Sequence, residues 1–485
     1  MNSSAVESAP RGVLAARPEY TYIPCVRSRG VTDEAESLFC PLEFRYGRDS
    51  VRDIFSRGAR LERALRVEAA LANAESELGM IPTDAGPAID QVANLSHVAL
   101  ARVDELERSM RHDVMAITRA LAEAAGPAGR WVHFGATSAD ITDTAQALEL
   151  KESAGILRDD LTKLARTLVD LARKHRATAE VGRTHGQHGV PISFGYKVAV
   201  AAAEVSRHRD RLDQLLPRLA VGKMAGAVGT GAGFGARSSE LEAMVMSRLG
   251  LAADEAPTQI VGRDRIAEFT NLLALIAATA ERLATEVRNL QRTEIAEVSE
   301  PFDEARQVGS STMAQKRNPM VSENVTSLAR LVRAFALPPL ENMVQWHERD
   351  LANSANERIV LPHAIVLTDD FLTKLTEVFR GLRVDAARMS AELARSAGGS
   401  MTENLMLTLT SKGLARSEAH ELLRTLTSDP SKGPPLIERA KTNSVVRAHL
   451  SPEELDELLD PSSYVRAAAA KTDRILADLD RRLAA

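Results

Sequence analysis

Leucines recur between residues 150 and 171 at steps of seven, four, three, four and three (Leu150, Leu157, Leu161, Leu164, Leu168, Leu171), with charged residues filling the intervals. These steps line one stripe of an α-helix, and the near-heptad spacing marks a seam that packs against other helices. Two further stretches, YKVAVAAAEVSRHRDRLDQLL and DRIAEFTNLLALIAATAERLATEVRNLQRTEIAEV, keep a similar pattern without a proline. Thirty helical residues span about 45 Å, too long for a compact α/β unit, so the pattern predicts a long antiparallel bundle. From Asp49 to Leu78, the positions Val51, Ile54, Leu61, Leu65, Val67, Ala70 and Leu71 also follow helical intervals and open the folded part.

Residues 1–43 are rich in Ser, Pro, Gly and Arg, lack a sustained apolar period, and read as a disordered N-terminal extension. The rest divides into an N-terminal helical domain over 44–136, the central long-helix bundle over 137–384 and a C-terminal helical domain over 385–485. Gly398-Gly399, Pro430 and Pro434-Pro435 separate the shorter helices of that last domain.

Composition sharpens this picture. Aromatic residues make up 4% of the 485, while Ala, Leu, Arg and Glu abound, a mixture that favours helix over sheet and an all-α fold. Lys plus Arg number 61 against 66 Asp plus Glu, so no basic footprint for a nucleic-acid polymer and no acidic tail stands out. No apolar run approaches the roughly 18 residues of a membrane span, and the first twenty residues lack a basic start followed by an apolar block. A soluble, cytoplasmic protein is expected. Cys25 and Cys40 form neither a disulfide framework nor a zinc spacing.

Candidate chemistry falls in the irregular stretches between the long helices. Gly231-x-Gly233-x-x-Ala236 superficially matches a dinucleotide fingerprint, but no convincing strand precedes it, and a tightly turned loop is the expectation. His185 and His188 lack a third ligand at zinc spacing. His347-Glu348 lacks the second histidine of a zinc-protease helix and reads as an ordinary hydrogen-bonded histidine. No metal and no cofactor is expected. The stretch from Gly309 to Pro319 gathers Ser310, Ser311, Lys316 and Asn318 between a glycine and a proline. Such a loop can hold a carboxylate and present a serine to it, although on these residues alone a solvated basic loop fits as well.

Taken together, GSSTMAQKRNP, VHFGATSADITDTA, GRTHGQHGVPISFG and GAVGT resemble, in order, the signature segments of the aspartase/fumarase superfamily. Within it, Arg45-Tyr46, Arg111-His112-Asp113-Val114, Arg183-Thr184-His185-Gly186 and WHERDLANSANER are most similar to the adenylosuccinate lyase family. The resemblance implies a three-domain fumarase/aspartase-like fold with a long central bundle. It implies an anti β-elimination of fumarate from an N-substituted succinate, above all adenylosuccinate and the related succinyl-carboxamide ribotide. It also implies a homotetramer whose sites are shared between subunits.

Carried over by position, the resemblance makes Ser310 the general base, His185 the general acid and Glu323 the carboxylate that orients it. Thr137, Ser138, Lys316 and Asn318 become donors to the aci-carboxylate formed on proton loss. Free serine is a very weak base, so its alkoxide needs loop N–H groups and a nearby charge such as Lys316. Arg111, His112, Asp113 and His133 become further substrate contacts. Arg45, Tyr46, Arg349, Ser354 and Arg358 become the phosphate site, and Gln259 a contact for the adenine or succinyl end. Surface salt bridging is the competing explanation for Arg349 and Arg358.

The sequence departs from the family pattern in places. Ala314 stands where the signature loop usually has proline, which should loosen the loop carrying Ser310. Gly262 and Ile266 stand where relatives often carry glutamine and histidine. These departures leave a smaller substituted succinate such as nitrosuccinate, a carboxymuconate cycloisomerase-like activity and a non-catalytic role as competing readings. Retention of Ser310 and His185 argues against the last.

Overall fold

The computed structural model describes residues 38–396, 398–427 and 434–484. The extension before residue 38, Cys25 with it, and Pro430 lie outside them. Of the stretch expected to be irregular through residue 43, Pro41–Phe44 is helical. Pro41 in the first turn, a capping-box Glu43 and the packing of Leu42 on the bundle core explain this.

Arg57–Glu77 (α1), Asp113–Ala124 (α2) and Ser138–Lys174 (α3) lead into a hairpin, Ala179–Thr184 (β1) with Gln187–Ser193 (β2). Phe194–Leu219 (α4), Asp264–Leu290 (α5), Met320–Ala334 (α6), Ala352–Arg380 (α7) and Ser462–Ala484 (α8) complete the main helices. The fold is predominantly helical. Besides the hairpin, its strands form a parallel pair (Val221–Gly222 with Ala252–Ala253) and an antiparallel one (Val298–Ser299 with Arg383–Val384).

All six seam leucines of α3 are buried. Leu157, Leu161, Leu164 and Leu168 pack with Val205 and Leu212 of α4, Phe269 and Leu273 of α5, Val325 of α6 and Ile365 and Phe371 of α7. Truncating any one of them to alanine should cost about 2–5 kcal/mol. A second core joins α1 to Ile89, Val103 and Leu121, and a third joins its other face to Met224, Phe234, Leu241 and Val245. Met401, Leu405, Leu423, Leu436 and Leu455 form a C-terminal core.

Two boundaries differ from the sequence expectation. The third long segment stops at Leu290 rather than at Val298, because Ala296 takes a left-handed φ of 53° and Glu297 is drawn to Arg183 of β1. The last helix, assigned with the C-terminal domain, returns to the bundle, where Leu476, Leu479 and Leu483 join its core. The glycine-rich stretch around Gly231 follows a two-residue strand and forms a short 3-10 segment, Ala232–Arg237, rather than the strand-to-helix turn of a dinucleotide site. No described helix is long and apolar enough to cross a membrane.

Candidate functional site

One end of the bundle is organised by the start of α3. Thr137 caps the helix in a box with Asp140, whose carboxylate accepts the Thr137 N–H at 2.8 Å. Asp140 also accepts from the backbone of Ala225 (3.0 Å) and Gly226 (3.2 Å) and pairs with the ammonium of Lys223. Lys223 and Asp140 are both fully buried. This pairing draws the glycine-rich stretch against the Thr137 turn, where a Cβ on Gly135 would lie 2.7 Å from the ring of Phe234. Ser138 and Ala139 thus open a helix of 37 residues, whose first N–H groups and dipole favour an anion. Just before the cap, His133 Nδ1 lies 2.7 Å from Glu68 Oε1 of α1.

One turn along α3, Asp143 holds Arg263 through two contacts at 2.7 and 3.0 Å, and Arg263 reaches Glu357 of α7 at 3.0 Å. Asn353 donates to the same Glu357 carboxylate at 3.0 Å. This buried network fastens the starts of α5 and α7 beside that of α3. Arg349 lies in its field: burial and the neighbouring Arg263 cation hold it below the ordinary arginine range, against the pull of Asp143. Its Nε donates to Asp350 O at 2.6 Å, while its terminal nitrogens have no partner among the described residues. Gln259 joins the cluster as a donor: its backbone N–H reaches Glu348 O at 3.2 Å and its side-chain amide reaches Ala227 O at 2.9 Å.

Arg358 forms the salt bridge weighed against a phosphate role. It pairs with Asp113 at 2.7 Å, 245 residues away, so its charge is already matched. Burial works to raise the Asp113 carboxyl, but Arg358 and the Val114 N–H outweigh it and hold it below the usual range. The pair brings Arg111 and His112 to α7, near Ser354 one turn before Arg358. His112 caps α2, accepting the Met115 N–H at 3.4 Å.

The opposite end of the bundle holds the other half of the expected set. His185 (φ 53°) and Gly186 (φ 74°) form the two-residue turn of the β1–β2 hairpin, and two positive φ values match the twist of a tight hairpin. Histidine and glycine both tolerate that region better than most residues. His185 and His188 therefore stand on a hairpin. Two residues before the turn, Arg183 grips the buried Glu297 at 2.8 and 2.7 Å, joining the hairpin to the chain that leads into the Ser310 loop. That loop closes on itself. Asn318 donates to Gly309 O at 3.2 Å, and a Cβ on Gly309 would lie 2.3 Å from Lys316 O, so only glycine fits. The Lys316 N–H donates to Met313 O at 3.0 Å, so the turn forms with Ala314 in place of proline.

Ser310 Oγ accepts two backbone N–H groups, from Thr312 at 3.3 Å and Met313 at 3.2 Å. Ser311 and Lys316 are exposed, and one amide hydrogen of Asn318 is committed to the loop. Glu323 is exposed in the first turn of α6, whose N-terminus is capped by the Glu300 carboxylate at 2.6 Å from the Ser322 N–H.

The expected phosphate set is divided within one chain. Gly47 donates to Asp370 at 3.0 Å, and Lys374 lies 5.1 Å from the Tyr46 ring centroid. Arg45 and Tyr46 are thereby fixed twelve residues beyond Arg358 on α7, about 18 Å along its axis. Ile266, at a position where relatives often carry a polar residue, is buried in the bundle core. His347 is exposed at a left-handed φ of 52° and makes no hydrogen bond among the described residues, unlike the hydrogen-bonded histidine expected there. Lys223, Asp140, Arg263 and Glu68 were not singled out from the sequence, although Glu68 and Glu75 fall on the same helical period as Leu61, Leu65 and Leu71. Among the described residues no group of three or more His, Cys, Asp or Glu side chains is placed to hold a metal ion.

A family model described as "Lyase" matches residues 43–334, and one described as "Adenylosuccinate lyase C-terminus" matches residues 398–475. The adenylosuccinate lyase of Pyrococcus abyssi is 45% identical over 437 residues, covering 90% of this chain and 97% of the relative. That of Methanocaldococcus jannaschii is 40% identical over 441 residues, covering 90% and 96%. Among solved structures, 3-carboxy-cis,cis-muconate lactonizing enzyme from Pseudomonas putida aligns with a TM-score of 0.81 at 32% identity, over 90% of this chain and 98% of that one. Fumarate lyase from a Mesorhizobium species aligns with a TM-score of 0.81 at 30% identity, over 89% and 98%.

Proposed function

Since this chain belongs to the adenylosuccinate lyase family of the aspartase/fumarase superfamily, we propose that it splits adenylosuccinate, and the related succinyl-carboxamide ribotide, into fumarate and the amine. It is a carbon–nitrogen lyase. This reaction would place it in purine biosynthesis, in the cytoplasm.

In this reading Ser310 removes the proton from the carbon beside the carboxylate that becomes part of fumarate. The observation that carries it is the pair of backbone N–H groups, from Thr312 and Met313, donated to Ser310 Oγ. Donors already aimed at the oxygen stabilise an alkoxide without reorganisation, and Lys316 adds positive charge from the same loop. Proton loss leaves an aci-carboxylate with two negative charges. The start of α3, with the hydroxyls of Thr137 and Ser138, supplies fixed donors that gain strength as that charge develops. His185, oriented by Glu323, protonates the departing nitrogen. Arg349, whose terminal nitrogens have no hydrogen-bond partner among the described residues, is the stronger phosphate ligand, and Arg358, matched by Asp113, the weaker.

The two halves of this machinery lie at opposite ends of one chain, so each site needs more than one subunit. Exposed apolar side chains give neighbours something to cover: Val344, Trp346, Leu351 and Ile359 beside the Arg349 segment, and Val200, Leu275 and Leu331 on the bundle. A homotetramer with antiparallel bundles unites the Thr137 end of one subunit with the His185 and Ser310 end of others.

Fumarate release from adenylosuccinate and, separately, from nitrosuccinate tests the reading. Release from the nucleotide alone, abolished by Ser310→Ala, is expected. Full activity of that variant would remove Ser310 as the base and point to Ser311; activity on the small dicarboxylate alone would overturn the substrate.

A further inference from the structure

The inner face of α1 carries two carboxyl groups beneath the His133 turn. Glu68 and Glu75 are 1% and 0% exposed, and neither is paired with a lysine or arginine among the described residues. Glu68 spends one oxygen on His133 Nδ1 at 2.7 Å, while its other oxygen and both oxygens of Glu75 have no hydrogen-bond partner among the described residues. A buried pair of carboxylates cannot keep two charges. Glu75, with no donor, is the member that holds a proton, which leaves the negative charge on Glu68, against the imidazole.

An ionised carboxylate only accepts hydrogen bonds, so Nδ1 of His133 carries a proton and Nε2 is the ring nitrogen left without a partner among the described residues. The charged groups facing the ring are Glu68 from α1 and Asp140 from α3. Asp140 is already engaged by Lys223 and the N–H groups of Thr137, Ala225 and Gly226. Glu68 is therefore the group that decides whether His133 is cationic.

We propose that Glu68 is a positioning residue that holds His133 as an imidazolium, so that its Nε2–H is a charged donor to the anionic substrate at the Thr137–Ser138 helix start. A neutral Glu75 keeps the counter-charge on Glu68. The role assigned to the substrate rests on the elimination proposed above; the ionic state of His133 does not.

The test compares wild type, Glu68→Gln, Glu68→Asp, His133→Ala and the Glu68→Gln/His133→Ala double variant in the full-length protein. With adenylosuccinate, Glu68→Gln should lower kcat/KM about tenfold or more, the worth of a charged hydrogen bond, and move its alkaline limb to lower pH. Glu68→Asp should restore the limb, and the double variant should be no worse than His133→Ala alone. Glutamine preserves shape, so a merely structural role would lower activity equally at every pH. Independently of activity, NMR of ¹³C-histidine-labelled protein, with His133→Gln to assign the signal, should show His133 titrating above ordinary histidine in wild type and lower in Glu68→Gln. An unmoved limb, an unmoved titration or multiplicative losses in the double variant overturn the proposal. Should Glu68→Gln fail to fold, a wild-type His133 titrating at or below the ordinary histidine range overturns it equally. If wild type releases no fumarate from adenylosuccinate, the substrate reading fails while the titration still decides the role of Glu68.

Discussion

Thr137 caps the first turn of α3 and His185 turns the hairpin that follows its last, so 37 helical residues, about 55 Å, stand between them. No lid closure spans that distance inside one chain. Chains lacking one half of the machinery should therefore complement chains lacking the other. His133→Ala and His185→Ala homo-oligomers should each be nearly inactive. Unfolded together and refolded as a mixture, they should recover about a quarter of wild-type activity, since each site then draws both histidines intact with a probability of one in four in a randomly assembled symmetric oligomer. A mixture no more active than its components would mean that one chain supplies both.

Arg349 and Arg358 lie on one segment but differ in what already holds them. Arg358 spends its charge on Asp113, whereas the terminal nitrogens of Arg349 have no partner among the described residues. Arg349→Ala should raise KM for adenylosuccinate about tenfold or more, the loss of a charged hydrogen bond, with little change in kcat. Arg358→Ala should raise it less and cost at most about 1 kcal/mol of stability, as for an exposed ion pair. Steady-state kinetics on both variants decide the ranking, and a larger KM effect at Arg358 would reverse it.

Lys223 and Asp140 are buried together, but Asp140 has other donors, whereas the only other acceptor for the Lys223 ammonium among the described residues is Gly226 O, at 3.5 Å. Lys223→Met leaves the carboxylate supported by three backbone N–H groups and should cost about 1–3 kcal/mol. Asp140→Ala strands a buried ammonium and those N–H groups, and should cost about 3–5 kcal/mol. Urea unfolding of both variants measures the order; a costlier Lys223→Met would show that the backbone donors do not sustain the charge.

What the sequence disclosed was local periodicity and local motif. The seam of α3 can be read from its own residues because burial there follows a single helical stripe, and the Ser310 loop announces itself by its glycine, hydroxyls and lysine. What stayed hidden depends on partners far along the chain. The end of α5 is set by an Arg183 that lies 114 residues before Glu297, and the split of the phosphate set by Gly47 meeting Asp370. Lys223 reads as an ordinary lysine in a glycine-rich loop until Asp140, 83 residues earlier, is seen to bury it. Glu68 and Glu75 lie on the apolar stripe of α1, but a stripe alone does not show what a carboxyl meets, and the partner of Glu68, His133, lies 65 residues further on.

Glu75 gives a stability prediction whose sign is fixed. Burial first, and the charge of Glu68 second, push its pKa from 4.5 up to about 8. A carboxyl that binds its proton more tightly in the folded than in the unfolded state contributes fully below the unfolded value. Its contribution is lost as pH rises from about 4.5 towards 8, at up to about 1.4 kcal/mol per pH unit. Glutamine at this position keeps the size and stays neutral. Glu75→Gln should therefore differ least from wild type near pH 5 and become the more stable protein as pH rises, by about 2 kcal/mol or more at pH 8.5 relative to the acid comparison. Other buried carboxyls, such as Glu180 at about 7, act equally in both proteins and cancel in the difference. Urea midpoints of the two proteins at both pH values measure it. A gap that does not change between them would mean that Glu75 titrates as it does in the unfolded chain, and that the charge beneath His133 is shared differently.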